Sequence, residues 1–216
     1  IGRDPQGVTT AANANVVNTA AYVQENFSFL HGKLLAGAGL RFDNFRFDVR
    51  DRLMDDTRVT QSATRPQPKL SLAYTPTRRV PLTLHANYGR GISSIDARTI
   101  LTNRLGTKIA TTDFYQAGAS SNLGRVSLAA DAFWIDRSNE QVYIADNGTL
   151  EFFGPSRAYG FESKASVQLT RHIGISGGIT KVFNAFYRNT APRVYVDRAP
   201  HFTANGGLTV SAWKGW

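Results

Sequence analysis

The chain has 216 residues, a length that fits one all-β unit of up to about 250 residues. It holds no cysteine, which excludes a disulfide framework and cysteine-based zinc sites, and no apolar run approaches the ~18 residues of a membrane helix. The net charge of +9 is scattered through loops and polar strand faces, with no basic helix and no RNP-type aromatic run; this argues against nucleic acid and suits an anionic lipopolysaccharide surface or an anionic ligand.

From Ile1 the chain first reads as loop, with Gly2, Asp4, Pro5 and Gly7 and no signal peptide. Segments of alternating apolar and polar residues follow, at roughly 16–29, 33–46, 67–75, 82–90, 111–121, 125–136, 158–170, 173–185 and 201–211. In the clearest of them Phe161, Ser163, Ala165, Val167 and Leu169 alternate with Glu162, Lys164, Ser166, Gln168 and Thr170. A period of two puts these sets on opposite faces of a strand, whereas on a helix they would scatter around the axis.

The breaks between strands alternate in length. Short ones fall near 30–32, 76–80, 122–125 and 170–172, and long polar ones at 47–66, 92–110, 138–156 and 187–199. A soluble sandwich has no reason to gather its long loops at one end, but an outer-membrane barrel keeps short turns on the periplasmic side and long loops outside. A strand of ~10 residues rises about 33 Å and, tilted ~45°, covers about 24 Å, close to the ~25 Å apolar band of such a barrel. The expected fold is therefore all-β: an antiparallel transmembrane β-barrel segment of about nine to ten strands. Leu72, Leu84, Leu128, Val167 and Ile175 are expected to face lipid, and Arg41, Asp43, His85, Asp131, Glu162 and Lys164 a wet lumen. Aromatics near strand ends, among them Tyr74, Tyr88, Phe114, Tyr115, Phe133, Trp134, Tyr159, Phe161 and Phe183, read as interfacial girdles. Glycines inside strands, Gly37, Gly39, Gly118, Gly174, Gly177 and Gly178, point to bends or close approach.

Little in the chain suggests catalysis. His31, His85, His172 and His201 lack metal-ligand spacing. Asp55-Asp56 sits in a mixed-charge run that reads as a solvated loop, and Asn147-Gly148 as a turn. There is no phosphate-binding glycine loop and no Gly-x-Ser-x-Gly elbow. No enzyme activity, metal site or cofactor is expected.

The loop after Tyr88-Gly89-Arg90 reads Gly91-Ile92-Ser93-Ser94-Ile95-Asp96-Ala97-Arg98. It resembles the Gly-Phe-His-Ser-Asn-Asp-Ala-Arg segment of a subgroup of TonB-dependent outer-membrane receptors, matching at Gly91, Ser94, Asp96, Ala97 and Arg98 and departing at Ile92, Ser93 and Ile95. Pro68-Lys69-Leu70-Ser71-Leu72-Ala73-Tyr74-Thr75-Pro76 resembles the preceding strand of that family. Asp136-Arg137-Ser138-Asn139-Glu140-Gln141-Val142-Tyr143 and Gly154-Pro155-Ser156-Arg157-Ala158-Tyr159-Gly160-Phe161-Glu162 follow in the family's order.

The resemblance implies a 22-stranded barrel in the outer membrane of a Gram-negative bacterium, a plug domain in its lumen, and TonB-energised uptake of a scarce small-molecule ligand, most often a ferric siderophore or similar iron complex. Residues 1–216 then read as part of the barrel domain, with the plug absent and both ends lying inside a longer protein. The run Ser211-Ala212-Trp213-Lys214-Gly215-Trp216, which breaks the alternation, fits that reading. Implied partners are outer-membrane lipid and lipopolysaccharide, the plug, the TonB complex and the ligand. Arg90, Asp96, Arg98 and Arg157 are the candidate ligand-binding residues in an extracellular loop or the lumen, and Asp96 with Arg98 is expected to position the second long loop. The alternatives are a complete small barrel acting as a passive pore and an adhesin-like module.

Overall fold

The computed structural model describes residues 11–53, 56–77, 79–94, 96–97, 99–102, 106–144, 149–196 and 199–211. Arg98, Asp55, the Asn147-Gly148 turn, Ile95 and the terminal stretch 212–216 lie outside the described residues. Among the described residues nine strands form one antiparallel sheet in chain order. They are β1 (Ala12–Phe29), β2 (Leu34–Asp51), β3 (Arg58–Tyr74), β4 (Leu82–Ser94), β5 (Ile109–Leu123), β6 (Val126–Ile144), β7 (Thr149–Gln168), β8 (Ile173–Tyr187) and β9 (Phe202–Val210). A four-residue helix, α1 (Thr99–Thr102), lies between β4 and β5. No described helix is long and apolar enough to cross a membrane, so any crossing is by strands.

The short connections close where the sequence places them. Gly124 and Arg125 alone join β5 to β6, with Gly124 at φ 63°, a backbone angle that a side chain with a Cβ rarely adopts. At the other end two expected loops prove to be mostly strand. β2 and β3 stay paired out to Arg50 opposite Arg58, and β6 and β7 out to Ile144 opposite Thr149. The paired parts of 47–66 and 138–156 thus continue the ladder rather than leave it. Ion pairs help hold the β2–β3 hairpin, Arg58 donating across the ladder to Asp48 and Arg50 to Asp56 in the turn.

Residues opposite one another in an antiparallel ladder share a face. The register therefore assigns Leu72, Leu84, Leu128, Val167 and Ile175 to one face, with Leu70, Ala86, Ala117, Ala119, Ala132 and Ala165. The other face carries Arg41, Asp43, His85, Asp131, Glu162 and Lys164. Phe114 and Phe133, grouped with the interfacial aromatics by sequence, lie on this polar face, in register with Gly89 and Gly160. An unpaired glycine surface is commonly covered by a neighbouring ring.

The apolar side of the β2–β3 hairpin changes along its length. Near the short turn Leu34, Ala36, Ala38, Leu40 and Phe42 share the outward face with Tyr74, Leu72 and Leu70. Past Asn44 that face carries Arg46, Asp48 and Arg50, while Phe45, Phe47, Val49 and Val59 lie on the opposite one. β2, at 18 residues, is about 60 Å long. Even tilted ~45° it outruns a ~25 Å apolar band, so its far third stands in water on the outward side. The switch marks where that band ends.

The face assignment predicts that Leu72→Arg impairs barrel assembly far more than Ser71→Arg, since an arginine at mid-bilayer costs about 2–4 kcal/mol. Heat-modifiable migration of the two variants in outer-membrane fractions checks this, and equal tolerance at the two positions would contradict it.

Candidate receptor wall and loop site

Three groups of polar or packed side chains stand out on the inward face of the sheet. The first surrounds Asp43, only 2% exposed in the middle of β2. Arg41 donates to it through Nε at 2.7 Å and Nη2 at 3.0 Å, Asn18 of β1 through Nδ2 at 2.8 Å, and Gln67 of β3 through Nε2. Such a charge is tolerable out of bulk water only because its lone pairs are met this completely. Asn18 and Gln67 are unremarkable in the sequence; only the pairing of β1 and β3 with β2 brings them there.

The second group joins strands that are not neighbours. His85 of β4 and Asp131 of β6 both stand opposite Gly118 of β5, and His85 Nε2 meets Asp131 Oδ1 across it. A Cβ on Gly118 would fall onto the Asp131 carboxylate and the Ala130 carbonyl. The glycine noted as a site of close approach is thus the gap through which two side chains meet. Next in the same row, Glu162 of β7 lies opposite Asp131 and accepts from Lys164 Nζ at 3.3 Å.

The third group is the loop between β4 and β5. Ile100 of α1 is 1% exposed and packs with Phe47, Val49 and Val59 on the inner side of the β2–β3 hairpin, with Ala97 and Leu101 at the margin. Phe45 and Phe47 stack at 6.0 Å. The described α1 segment of the second long loop is therefore folded inward onto a neighbouring hairpin. Asp96 lies half-buried at its start.

The remaining candidates occupy a different surface. Arg90 of β4 donates to Asp113 of β5 through Nε at 2.8 Å and Nη2 at 2.9 Å, and Arg157 of β7 to Asp136 of β6 at 2.7 and 2.8 Å. The register sets Arg90, Asp113, Asp136 and Arg157 in one row, above a row of Tyr88, Tyr115, Trp134 and Tyr159. Both rows are on the apolar, outward face. Tyr88 Oη donates to Asp113 at 2.8 Å, and the Arg157 guanidinium lies 4.4 Å over the Trp134 ring. The structure thus brings Arg90 and Arg157 into one row, on the face opposite Asp43 and His85 and apart from Asp96.

The family model described as TonB dependent receptor-like, beta-barrel matches residues 2–216, and the chain belongs to this family of outer-membrane receptors and transporters. The sheet superposes on that of the ferric citrate transporter FecA with a TM-score of 0.73 at 18% identity, over 91% of this chain and 30% of that one. The copper transporter OprC gives 0.73 at 18% over 93% and 32%, and the siderophore receptor PiuA from Acinetobacter baumannii 0.70 at 18% over 94% and 32%. The chain spans about a third of the length of these structures. No curated relative matches it by sequence.

Two outcomes follow. Gly118→Ala should destabilise the assembled receptor by about 1–3 kcal/mol through overpacking at the His85–Asp131 contact, read as a lower midpoint of heat-modifiable migration. Ile100→Ala removes a buried anchor worth about 2–5 kcal/mol. It should raise amide exchange in α1 on the order of 30-fold or more while the strands keep their protection, which exchange mass spectrometry would show.

Proposed function

We propose that the protein to which this wall belongs imports a scarce anionic iron complex, a ferric siderophore or similar chelate, across the outer membrane, with energy supplied by TonB. Membership of the receptor family carries this reading. Three further features support it. The polar face offers a wetted lining for a plug domain. The β4–β5 loop is anchored on the inner side of the mouth by Ile100. The net charge of +9 favours an anionic ligand. In this reading Asp96 and Arg98 belong to the loop that meets the ligand first, and Arg98 supplies a charge-assisted hydrogen bond to it.

Deleting the gene should abolish growth on one ferric siderophore as sole iron source, and loss of TonB should have the same effect. Growth on every iron source tested, or leakage indifferent to TonB, would favour a passive pore instead. In the intact receptor Arg98→Ala should raise the half-saturating ligand concentration about tenfold or more, the worth of one charge-assisted hydrogen bond. Radioiron uptake measures it.

A further inference from the structure

Gly37 and Gly39 of β2 and Gly89 of β4 leave a recess in the inward face. Lys69 of β3 stands between Gly39 and Gly89, and Ser71, one row nearer the short turns, between Gly37 and Asn87. A Cβ on Gly89 would have Lys69 Cγ as its near neighbour, at 3.8 Å, so the stem of the lysine lies over bare backbone. A Cβ on Gly37 would fall onto Ser71 Oγ, which leans into the gap. The recess is a hollow of about 290 Å³ with Lys69, Ser71 and Asn87 on its sides and Phe114 at one edge.

The charge in this hollow has no answer in the wall. Lys69 is exposed and has no hydrogen-bond or ion-pair partner among the described residues. Asp43, two register rows nearer the long-loop end, is met by Arg41, Asn18 and Gln67, and Asp131 by His85, so neither carboxylate is left for it. Arg65, two inward positions further up β3, donates only to the Thr64 carbonyl among the described residues, at 3.1 Å. Two uncompensated cations thus step down one strand from the mouth, about 13 Å apart along it. The Asn87 amide spends one N–H on Gln116 Oε1 at 3.4 Å and keeps the other.

We infer that this hollow is a transit subsite: a carboxylate of an anionic cargo moving down the inner wall rests on the Lys69 ammonium, with the Ser71 hydroxyl and the Asn87 amide as further donors. The inference rests on the importer reading and adds the place where the cargo touches the wall. One ammonium beside neutral donors matches the single charge and two acceptor oxygens of a carboxylate. A phosphate would call for a second cation, and Arg65 is out of reach. A permanent partner would hold its cation in fixed geometry, as Asp43 holds Arg41 through two bonds. Lys69 is solvated and free to move, so its bond to a carboxylate is weak and readily broken, as suits a group that pauses and leaves.

The test places Ser71→Cys in the full-length receptor, in whole cells grown under iron limitation. The new thiol is modified with two methanethiosulfonates of similar size, one carrying a sulfonate and the other a trimethylammonium group. This chain contributes no other cysteine, and the unmutated receptor gives the background. Relative to a free thiol in solution, the sulfonate reagent should react at least about tenfold faster than the cationic one, because a focused positive field raises the local concentration of anions. Adding Lys69→Gln should bring the ratio to near one, and Lys69→Arg should keep it. Ser166→Cys, on the same face beside the paired Lys164 and Glu162, should show no preference. Loss of TonB should slow the modification of Ser71→Cys at least about tenfold, since the hollow is then uncovered only rarely. An absent preference, or one that survives Lys69→Gln, would overturn the anion site. Equal rates with and without TonB, or no reaction with either reagent in both strains, would overturn the transit role, the latter by showing a fixed occupant. Failure of the importer reading is seen separately, as growth indifferent to TonB, and heat-modifiable migration of each variant reports on the barrel itself.

Discussion

Inside a bilayer no water is available for backbone N–H and C=O groups, so each must be met by a neighbouring strand. The rest of this structure depends on that requirement. It forces long unbroken ladders, and β1 with β2 stays in register over all eighteen pairs from Ala12–Asp51 to Phe29–Leu34. Once the ladder is fixed, every residue's face is fixed with it, because a slip of one residue would turn each side chain to the other side. Leu72 faces lipid because Ser71 does not, and the same register brings His85, Gly118 and Asp131 into one row.

What changes along the strands is the medium on each side. In the membrane the outward face meets hydrocarbon and the inward face meets water or packed protein. Beyond the band the outward face meets water, and apolar side chains gain most by turning inward. The alternation of β2 and β3 reverses accordingly between Phe42 and Phe45, and the inward phenylalanines and valines become the seat for α1. Loop anchoring and strand extension are therefore one feature: without the extended hairpin Ile100 would have nothing to pack on. Arg50–Asp56 and Arg58–Asp48 cover the wet side of the same hairpin. The Arg58 guanidinium holds the Asp48 carboxyl below its ordinary range, so that pair persists into mild acid and is lost only as pH falls through the lowered value.

Much of this was legible from a period of two. The nine strands, the short turns and the two faces at Leu72, Val167, Asp43 and Glu162 follow from the alternation. The extensions into 47–66 and 138–156 are not legible, because alternation marks a strand only while apolar residues continue on one face, and the apolar positions of the first extension change face. The face of Phe114 and Phe133 is hidden for a related reason: an aromatic near a strand end suits either face, and only the pairing with Gly89 and Gly160 across the ladder decides. Arg90 and Arg157 lie in or beside family-like motifs, but which face they occupy depends on the strand pairing that sets them against Asp113 and Asp136, 23 and 21 residues away in the chain. No local pattern encodes such a partner.

The inward charges are largely answered within the wall. Asp43 is met by Arg41, Asn18 and Gln67, Asp131 by His85, and Glu162 by Lys164. A wall neutralised in this way offers a wetted polar surface with few isolated charges to grip whatever fills the lumen. On the importer reading, that suits a plug and a ligand that must move past it, since a strong unpaired charge would become a trap costing several kcal/mol to leave. Discrimination between ligands then falls to the loops at the mouth, where the β4–β5 segment is held in place from below by its packing on the hairpin. The outward face shows the same economy: its charges stand as two arginine–aspartate pairs, Arg90 with Asp113 and Arg157 with Asp136, just above the row of tyrosines and Trp134.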